Sequence, residues 1–164
     1  MIITSYNIRG IGGSSKLNSL KCLFATIKLD VFLIQETMTE ATKACAFFLR
    51  LFPGWEVSAT DSTGRSEGLV CVLNPRIFEF GAYSYPVGIL LEGSVRCFGE
   101  RVKIFNCYGP YKEMYAFWDL IVESGLLKDR NIILGGDLKF TLSLYELWGN
   151  QRIDPLSDYF TKLF

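Results

Sequence analysis

Histidine is absent from this 164-residue chain. That removes the commonest general base and excludes zinc sites built on imidazole. A surplus of either charge is also missing, because 17 basic and 17 acidic residues cancel. A chain held on nucleic acid chiefly by overall phosphate neutralisation would be strongly basic, so any such binding needs a local patch. No run approaches the ~18 apolar residues that span a bilayer, and no membrane role is expected. The opening "MIITSYNIRGIGG" has no basic region leading into a long apolar stretch, so no secretory leader is expected and the cytoplasm or nucleus is. Cysteine occurs five times, an odd number, at Cys22, Cys45, Cys71, Cys97 and Cys107, without C-x-x-C pairing. Buried free thiols in a reducing compartment are the reading. Internal repeats and low-complexity tracts are likewise absent.

What remains is a globular composition, 49% hydrophobic and 21% charged, of a length that suits one domain over residues 1–164. "MIITSYN" alternates like a strand. Leu17, Leu20, Leu23, Phe24 and Ile27 then recur at helical spacing, with Ser14 or Ser15 placed to cap. "DVFLIQE" is a continuous apolar run ending in a carboxylate, as a strand buried on both faces would be. "TEATKACAFFLRLF" reads as a helix stopped by Pro53-Gly54. From Trp55 to Tyr108 the chain turns to strands: "WEVSAT", "GLVCVL", "FEFGAYSY", "GILLEG", and "SVRCF" joined to "RVKIFNCY" by a hairpin at Gly99-Glu100. A helix follows, with Met114, Phe117, Leu120 and Ile121 on one face. "NIILGGD" reads as another buried strand, and a last helix is capped by Asp154 with Pro155 in its first turn. Helices flanking a meander of strands predict a layered α/β sandwich with mixed sheets.

Asn7, Glu36 and Asp137 each end an apolar run, and Tyr108-Gly109-Pro110 ends another. Their side chains should emerge along one edge of the sheets. Carboxylate and amide oxygens are the ligands a hard cation such as Mg²⁺ prefers. "GIGG" after the first strand lacks both G-x-G-x-x-G and the P-loop lysine, so a nucleotide loop is not read there. Arg9, Lys16, Arg65 and Arg101 read as scattered solvated charges, with a patch beside the edge as the alternative.

"IITSYNIRGIG", "VFLIQET", "IFNCYGP" and "ILGGDLKFTL" together resemble the successive motifs of the endonuclease/exonuclease/phosphatase (DNase I-like) superfamily. The wording is most similar to the endonuclease domain of plant non-LTR (LINE-type) retrotransposons, where "NIRG-G", "LLQET", "NVYGP" and "GGDFN" recur in this order. The resemblance implies a four-layered α/β sandwich and Mg²⁺-dependent hydrolysis of phosphate esters, with nucleic acid as partner. It implies a metal-ligand role for Glu36 and catalytic roles for Asn7, Tyr108 and Asp137. Asn7 would contact metal or phosphate, Tyr108 the scissile phosphate, and Asp137 the attacking water. Arg9 is a substrate-binding candidate, and Lys139 stands, as a degenerate replacement, at a further substrate-binding position.

Three departures bear on activity. The family's G-D-x-N places asparagine where Lys139 stands. Lys139 then silences the site, binds phosphate in place of the amide, or points harmlessly into solvent; the first is the expectation. Glu67 in "STGRSEGLV" is either a negative charge facing an anionic substrate or an ordinary loop glutamate. The resemblance further implies later strands bearing an Asp and an S-D-H motif, whereas the sequence given stops at Phe164. Whether Phe164 is a natural terminus stays open. An incomplete sandwich, impaired catalysis and an uncovered apolar sheet are expected. The alternatives are a weak Mg²⁺-dependent DNA endonuclease, and a non-enzymatic interaction, toxic or decoy protein acting through that bare sheet.

Overall fold

Val31-Phe32-Leu33-Ile34-Gln35 is buried at every position, which requires cover on both faces of its sheet. The computed structural model, which describes residues 1–63, 66–141 and 156–163, supplies that cover with four layers. Among the described residues the chain runs β1 (Ile3–Asn7), α1 (Ser14–Thr26), β2 (Val31–Gln35), α2 (Ala41–Leu51), β3 (Glu56–Thr63), β4 (Ser66–Leu73), β5 (Phe78–Tyr85), β6 (Gly88–Val95), β7 (Arg101–Tyr108), α3 (Met114–Glu123), a 3-10 turn (Leu126–Lys128), β8 (Ile132–Asp137) and α4 (Ser157–Leu163).

The strands form two four-stranded mixed sheets, ordered β1-β2-β4-β3 and β5-β6-β7-β8. Each contains one parallel pair, β1 with β2 and β7 with β8; the other pairings are antiparallel. Strand alternation sends successive side chains to opposite faces. Val31 and Leu33 of β2 therefore meet Ile104 and Leu91 of the other sheet in a central core. Phe32 and Ile34 face the other way, onto Leu20 of α1 and Phe48 of α2. On the far side, Phe105 and Cys107 of β7 pack on Phe117, Trp118 and Ile121 of α3 and Phe160 of α4. Each fully buried Leu, Ile, Val or Phe in these cores contributes ~1.5–3 kcal/mol. The layered α/β sandwich with mixed sheets is thus observed.

Several local expectations change. Ser14 and Ser15 lie within α1; its cap residue is Gly13, so the helix starts without a side-chain cap. "SVRCF" is not a separate strand: β6 runs through Val95, and the hairpin to β7 turns over residues 96–100, with Val95 N–H bonded to the Glu100 carbonyl at 3.3 Å. Among the described residues β8 is an edge strand, and all six of its residues are half-buried. In α3 the inward residues are Phe117, Trp118 and Ile121, while Leu120 is 49% exposed. All five cysteines are free, but only Cys71 and Cys107 are buried, Cys45 is partly so, and Cys22 and Cys97 are exposed. Asp154, Pro155, Trp148, Arg65 and Phe164, together with the side chain of Glu67, lie outside the described residues.

Candidate functional site

The two parallel strand pairs end side by side. In one sheet Asn7 is in register with Gln35, and Glu36 follows; in the other Tyr108 is in register with Asp137. Open α/β sheets bind ligands at the carboxyl ends of their strands, and all four sequence-singled groups converge there. The Asn7 side-chain amide donates to Glu36 Oε1 at 2.7 Å and to Asp137 Oδ2 at 3.0 Å. The Tyr108 hydroxyl donates to the same Glu36 oxygen at 2.7 Å. One amide therefore bridges two carboxylates carried by different sheets.

Local backbone makes this possible. Glu36 leaves β2 with φ 56, the left-handed region that a non-glycine residue enters at a cost of order 1 kcal/mol. The Gly10 N–H donates to its carbonyl at 2.6 Å, and the Thr37 N–H donates to the Gly68 carbonyl at 3.1 Å. The side chain of Glu36 is consequently drawn in and is only 8% exposed. Lys139 is also left-handed, with φ 59. Its turn lies directly against Gly109, where a Cβ would sit 2.4 Å from the Leu138 carbonyl oxygen, so only glycine allows the approach.

Lys139 does not point into solvent. Its ammonium donates to Asp137 Oδ2, lies 3.9 Å from Glu36 Oε1, and donates to the Tyr111 hydroxyl at 3.2 Å. It also stands over two aromatic rings, 4.7 Å from the centroid of Tyr108 and 4.6 Å from that of Tyr111. The solvated-lysine reading of the sequence is therefore corrected: the side chain is 15% exposed.

Burial pushes the Glu36 carboxyl up, but hydrogen bonds from Tyr108 and Asn7 and the charges of Lys139 and Arg9 outweigh it, leaving Glu36 below its ordinary value of 4.5. Burial likewise opposes the Lys139 charge, while hydrogen bonds to Asp137 and Tyr111 and the Asp137 charge overcome that and raise it above 10.5. Both groups are held ionised.

Arg9 sits on the exposed loop after β1, with φ 50 and its N–H bonded to Asn7 Oδ1 at 3.2 Å. Lys16 grips that loop by donating to the carbonyls of Ile8 (3.2 Å), Arg9 and Gly10 (3.0 Å). Arg101 is not beside the site. It opens β7 at the opposite end from Tyr108 and pairs with Glu92 at 3.4 Å. Sequence reading missed Tyr111, which no motif marks and which is 78% exposed. It also missed Asn106 and Gln35, buried polar residues in apolar runs.

The fit of Mg²⁺ to these residues can be tested directly. Glu36 Oε1 and Asp137 Oδ2, the inward ligand oxygens, already accept two hydrogen bonds each. Unit charges ~4 Å apart interact by about 4 kcal/mol at an effective dielectric of ~20, so a dication there would be repelled by the ammonium by about 8 kcal/mol. With Lys139 in this position the residues do not fit the metal.

The chain's similarity to known proteins lies in its fold. No protein-family model matches it, and no curated protein matches it in sequence. Solved structures do. The endonuclease domain of TRAS1, a telomere-specific non-LTR retrotransposon, superimposes with a TM-score of 0.67 at 17% identity, over 98% of this chain and 68% of that one. The AP endonuclease LMAP from Leishmania major gives 0.68 at 14% identity, over 90% and 58%. An endonuclease/exonuclease/phosphatase family protein from Bacteroides thetaiotaomicron gives 0.66 at 14%, over 98% and 67%. The chain thus spans between 58% and 69% of the length of these and the similar Neisseria meningitidis exonuclease. The fold is that of the endonuclease/exonuclease/phosphatase, DNase I-like proteins.

Proposed function

We propose that this chain is a nucleic-acid phosphodiester domain related to non-LTR retrotransposon endonucleases, one that binds its substrate but is impaired in hydrolysis. The observation that carries the reading is the Asn7 amide bridging Glu36 and Asp137 at the shared end of two parallel strand pairs. The Asn7 amide and the Tyr108 hydroxyl spend their hydrogens on the two carboxylates, so a phosphate group approaching that edge would be met by the Arg9 cation on the exposed loop after β1, a charge suited to phosphate oxygens. Nucleic acid as the partner is inferred from the fold's nuclease members.

The impairment follows from Lys139. A general base must accept a proton from its water, and Asp137 Oδ2 is already engaged by the Lys139 ammonium and the Asn7 amide. Water must compete with an ion pair for that oxygen. Groups that act as a unit fail together, so loss of one free carboxylate removes most of the rate. Among the described residues no helix is long and apolar enough to cross a membrane. A nucleic-acid partner and five free thiols suit the nucleus or cytoplasm.

The test joins a nicking assay on supercoiled plasmid, in Mg²⁺ and in Mn²⁺, with fluorescence polarisation of a labelled oligonucleotide. Wild type should nick no faster than Glu36→Ala, while binding the oligonucleotide in a salt-dependent manner that Arg9→Ala weakens. Nicking by wild type that vanishes in Glu36→Ala overturns the impairment. No oligonucleotide binding at low salt overturns the substrate class.

A further inference from the structure

The ammonium of Lys139 touches more groups than an ordinary surface ion pair would. Two carboxylates, one phenol and the faces of two aromatic rings surround it. The carboxylates come from different sheets, and mutual repulsion would drive them apart if nothing positive stood between them. Asn7 supplies hydrogen bonds to both but no charge. We propose that Glu36 and Asp137 form a cation site whose cation is the chain's own Lys139 ammonium, clamped from the solvent side by Tyr111, so that the two carboxylates are held together without a divalent metal. The inference rests on the site placement used for the proposed function, not on its substrate.

Three features make the ammonium a resident cation rather than a passing contact. First, the left-handed turn at Lys139 is built against Gly109 and secured by the Gly109 N–H bond to the Asp137 carbonyl at 2.8 Å, which directs the side chain back over the strand it follows. Second, Tyr108 and Tyr111 present ring faces to it at 4.7 and 4.6 Å, within the ~6 Å at which a ring quadrupole attracts a cation. Third, Tyr111 is mostly exposed, so its ring and hydroxyl have the ammonium as partner and no apolar core to hold them. With two carboxylates, one ammonium and the nearby Arg9, the formal charge of the cluster sums to zero. A dication would leave it at +2.

The experiment is Mn²⁺ binding, followed by electron paramagnetic resonance and by the thermal midpoint, on wild type, Lys139→Asn, Tyr111→Ala and each combined with Glu36→Gln. Wild type should show no Mn²⁺ binding that depends on Glu36. Lys139→Asn should bind at least a thousandfold more tightly, a gain that needs only half of the repulsion of about 8 kcal/mol between the ammonium and a dication, and Glu36→Gln should abolish the gain. Tyr111→Ala, a change at an exposed side chain that spares the core, should loosen the clamp and gain about tenfold. Glu36-dependent Mn²⁺ binding by wild type as tight as by Lys139→Asn overturns the inference. So does a folded Lys139→Asn that binds no Mn²⁺. If Lys139→Asn fails to fold, wild type and Tyr111→Ala still decide: Tyr111→Ala binding no better than wild type overturns the clamp. The two readings fail separately. Oligonucleotide binding that EDTA leaves unchanged, beside absent Mn²⁺ binding, supports both. Mn²⁺ bound through Glu36 without nicking sinks this inference alone, and absent oligonucleotide binding with absent Mn²⁺ binding sinks only the substrate class.

Discussion

Asn106 is fully buried between the sheets, and its removal tests how the site is held. Its amide donates to the Ile34 carbonyl at 3.2 Å and the Val70 carbonyl at 3.0 Å, on β2 and β4 of the opposite sheet. Its oxygen accepts from Gln35 Nε2 at 2.8 Å, and Gln35 is in turn tied to Ser5 at 3.1 Å. Asn106→Ala deletes these three hydrogen bonds, worth ~1 kcal/mol each, together with a weak contact from the amide to the Cys71 sulfur at 3.6 Å, and leaves a Gln35 donor short of a partner in a dry interface, a further ~1–2 kcal/mol. The expected loss is about 4 kcal/mol, a large share of the ~5–15 kcal/mol that holds a domain together. At a urea slope of ~2 kcal/mol/M the unfolding midpoint falls by about 2 M, read by tryptophan fluorescence. Ser5→Ala removes only the outer bond and should cost ~1 kcal/mol or less. A double-mutant cycle of Gln35→Ala with Asn106→Ala should return ~1 kcal/mol of coupling. A drop below ~1 kcal/mol for Asn106→Ala, or no coupling to Gln35, refutes the claim that this pair locks the sheets together.

Burial pushes the Cys71 and Cys107 thiols from 9.0 up to about 12. Because the folded values are raised, their contribution is fully present below pH 9 and is lost as pH rises, since only the unfolded chain deprotonates there; together they cost roughly 3 kcal/mol per pH unit above 9. Urea midpoints at pH 8 and 10 check this, and a Cys71→Ala/Cys107→Ala protein should lose the alkaline slope. A thiol reagent at pH 8 should label Cys22 and Cys97 first and reach Cys71 and Cys107 only on unfolding; uniform labelling of all five contradicts the burial. Gly136 has φ 142, and a Cβ there would lie 1.8 Å from the Cys107 carbonyl oxygen. Gly136→Ala should therefore cost at least ~3 kcal/mol by chemical denaturation, and near-neutral stability would show that β8 can shift. Lys16→Met removes the donor to three loop carbonyls and should weaken Arg9-dependent oligonucleotide binding several-fold at ~1–2 kcal/mol of stability; equal binding would detach the loop from the site.

The layers were legible because their residues obey one rule at a time. β2 is a continuous apolar run, buried at every position, and α2 carries its apolar stripe at helical spacing; such patterns survive any tertiary arrangement. Asn7, Glu36, Tyr108 and Asp137 were legible for the complementary reason, as polar residues that end those runs. Lys139 could be singled out but not placed. Its position depends on a left-handed backbone and on Gly109 pressing against the following turn, which no periodicity encodes. Leu120 was misassigned because the indole of Trp118 takes the inward position, packed on Phe117 and Phe160. Cys22 and Cys97 were read as buried from their apolar neighbours, but Cys22 lies on the outer face of α1 and Cys97 in the hairpin turn.

The inward-facing residues of four strands explain why the site sits where it does. Reading toward the carboxyl ends, β2 presents Val31, Leu33 and Gln35, with Glu36 following; β7 presents Ile104, Asn106 and Tyr108. β1 reaches Ser5 and Asn7, and β8 reaches Gly135 and Asp137. The space between the sheets thus passes from dry and apolar, through neutral amides, to ionised groups. Each level prepares the next. The Gln35–Asn106 amides satisfy one another, so they cross a low-dielectric layer without an unpaired polar group. They also fix the relative height of the two sheets one residue before Glu36 and two before Tyr108. A bond of 2.7 Å between Tyr108 and Glu36 tolerates little slippage, since a shift of one residue would turn every inward side chain outward. The carboxylates of Glu36 and Asp137 can then stand close only where a positive charge joins them, and in this chain Lys139 brings it.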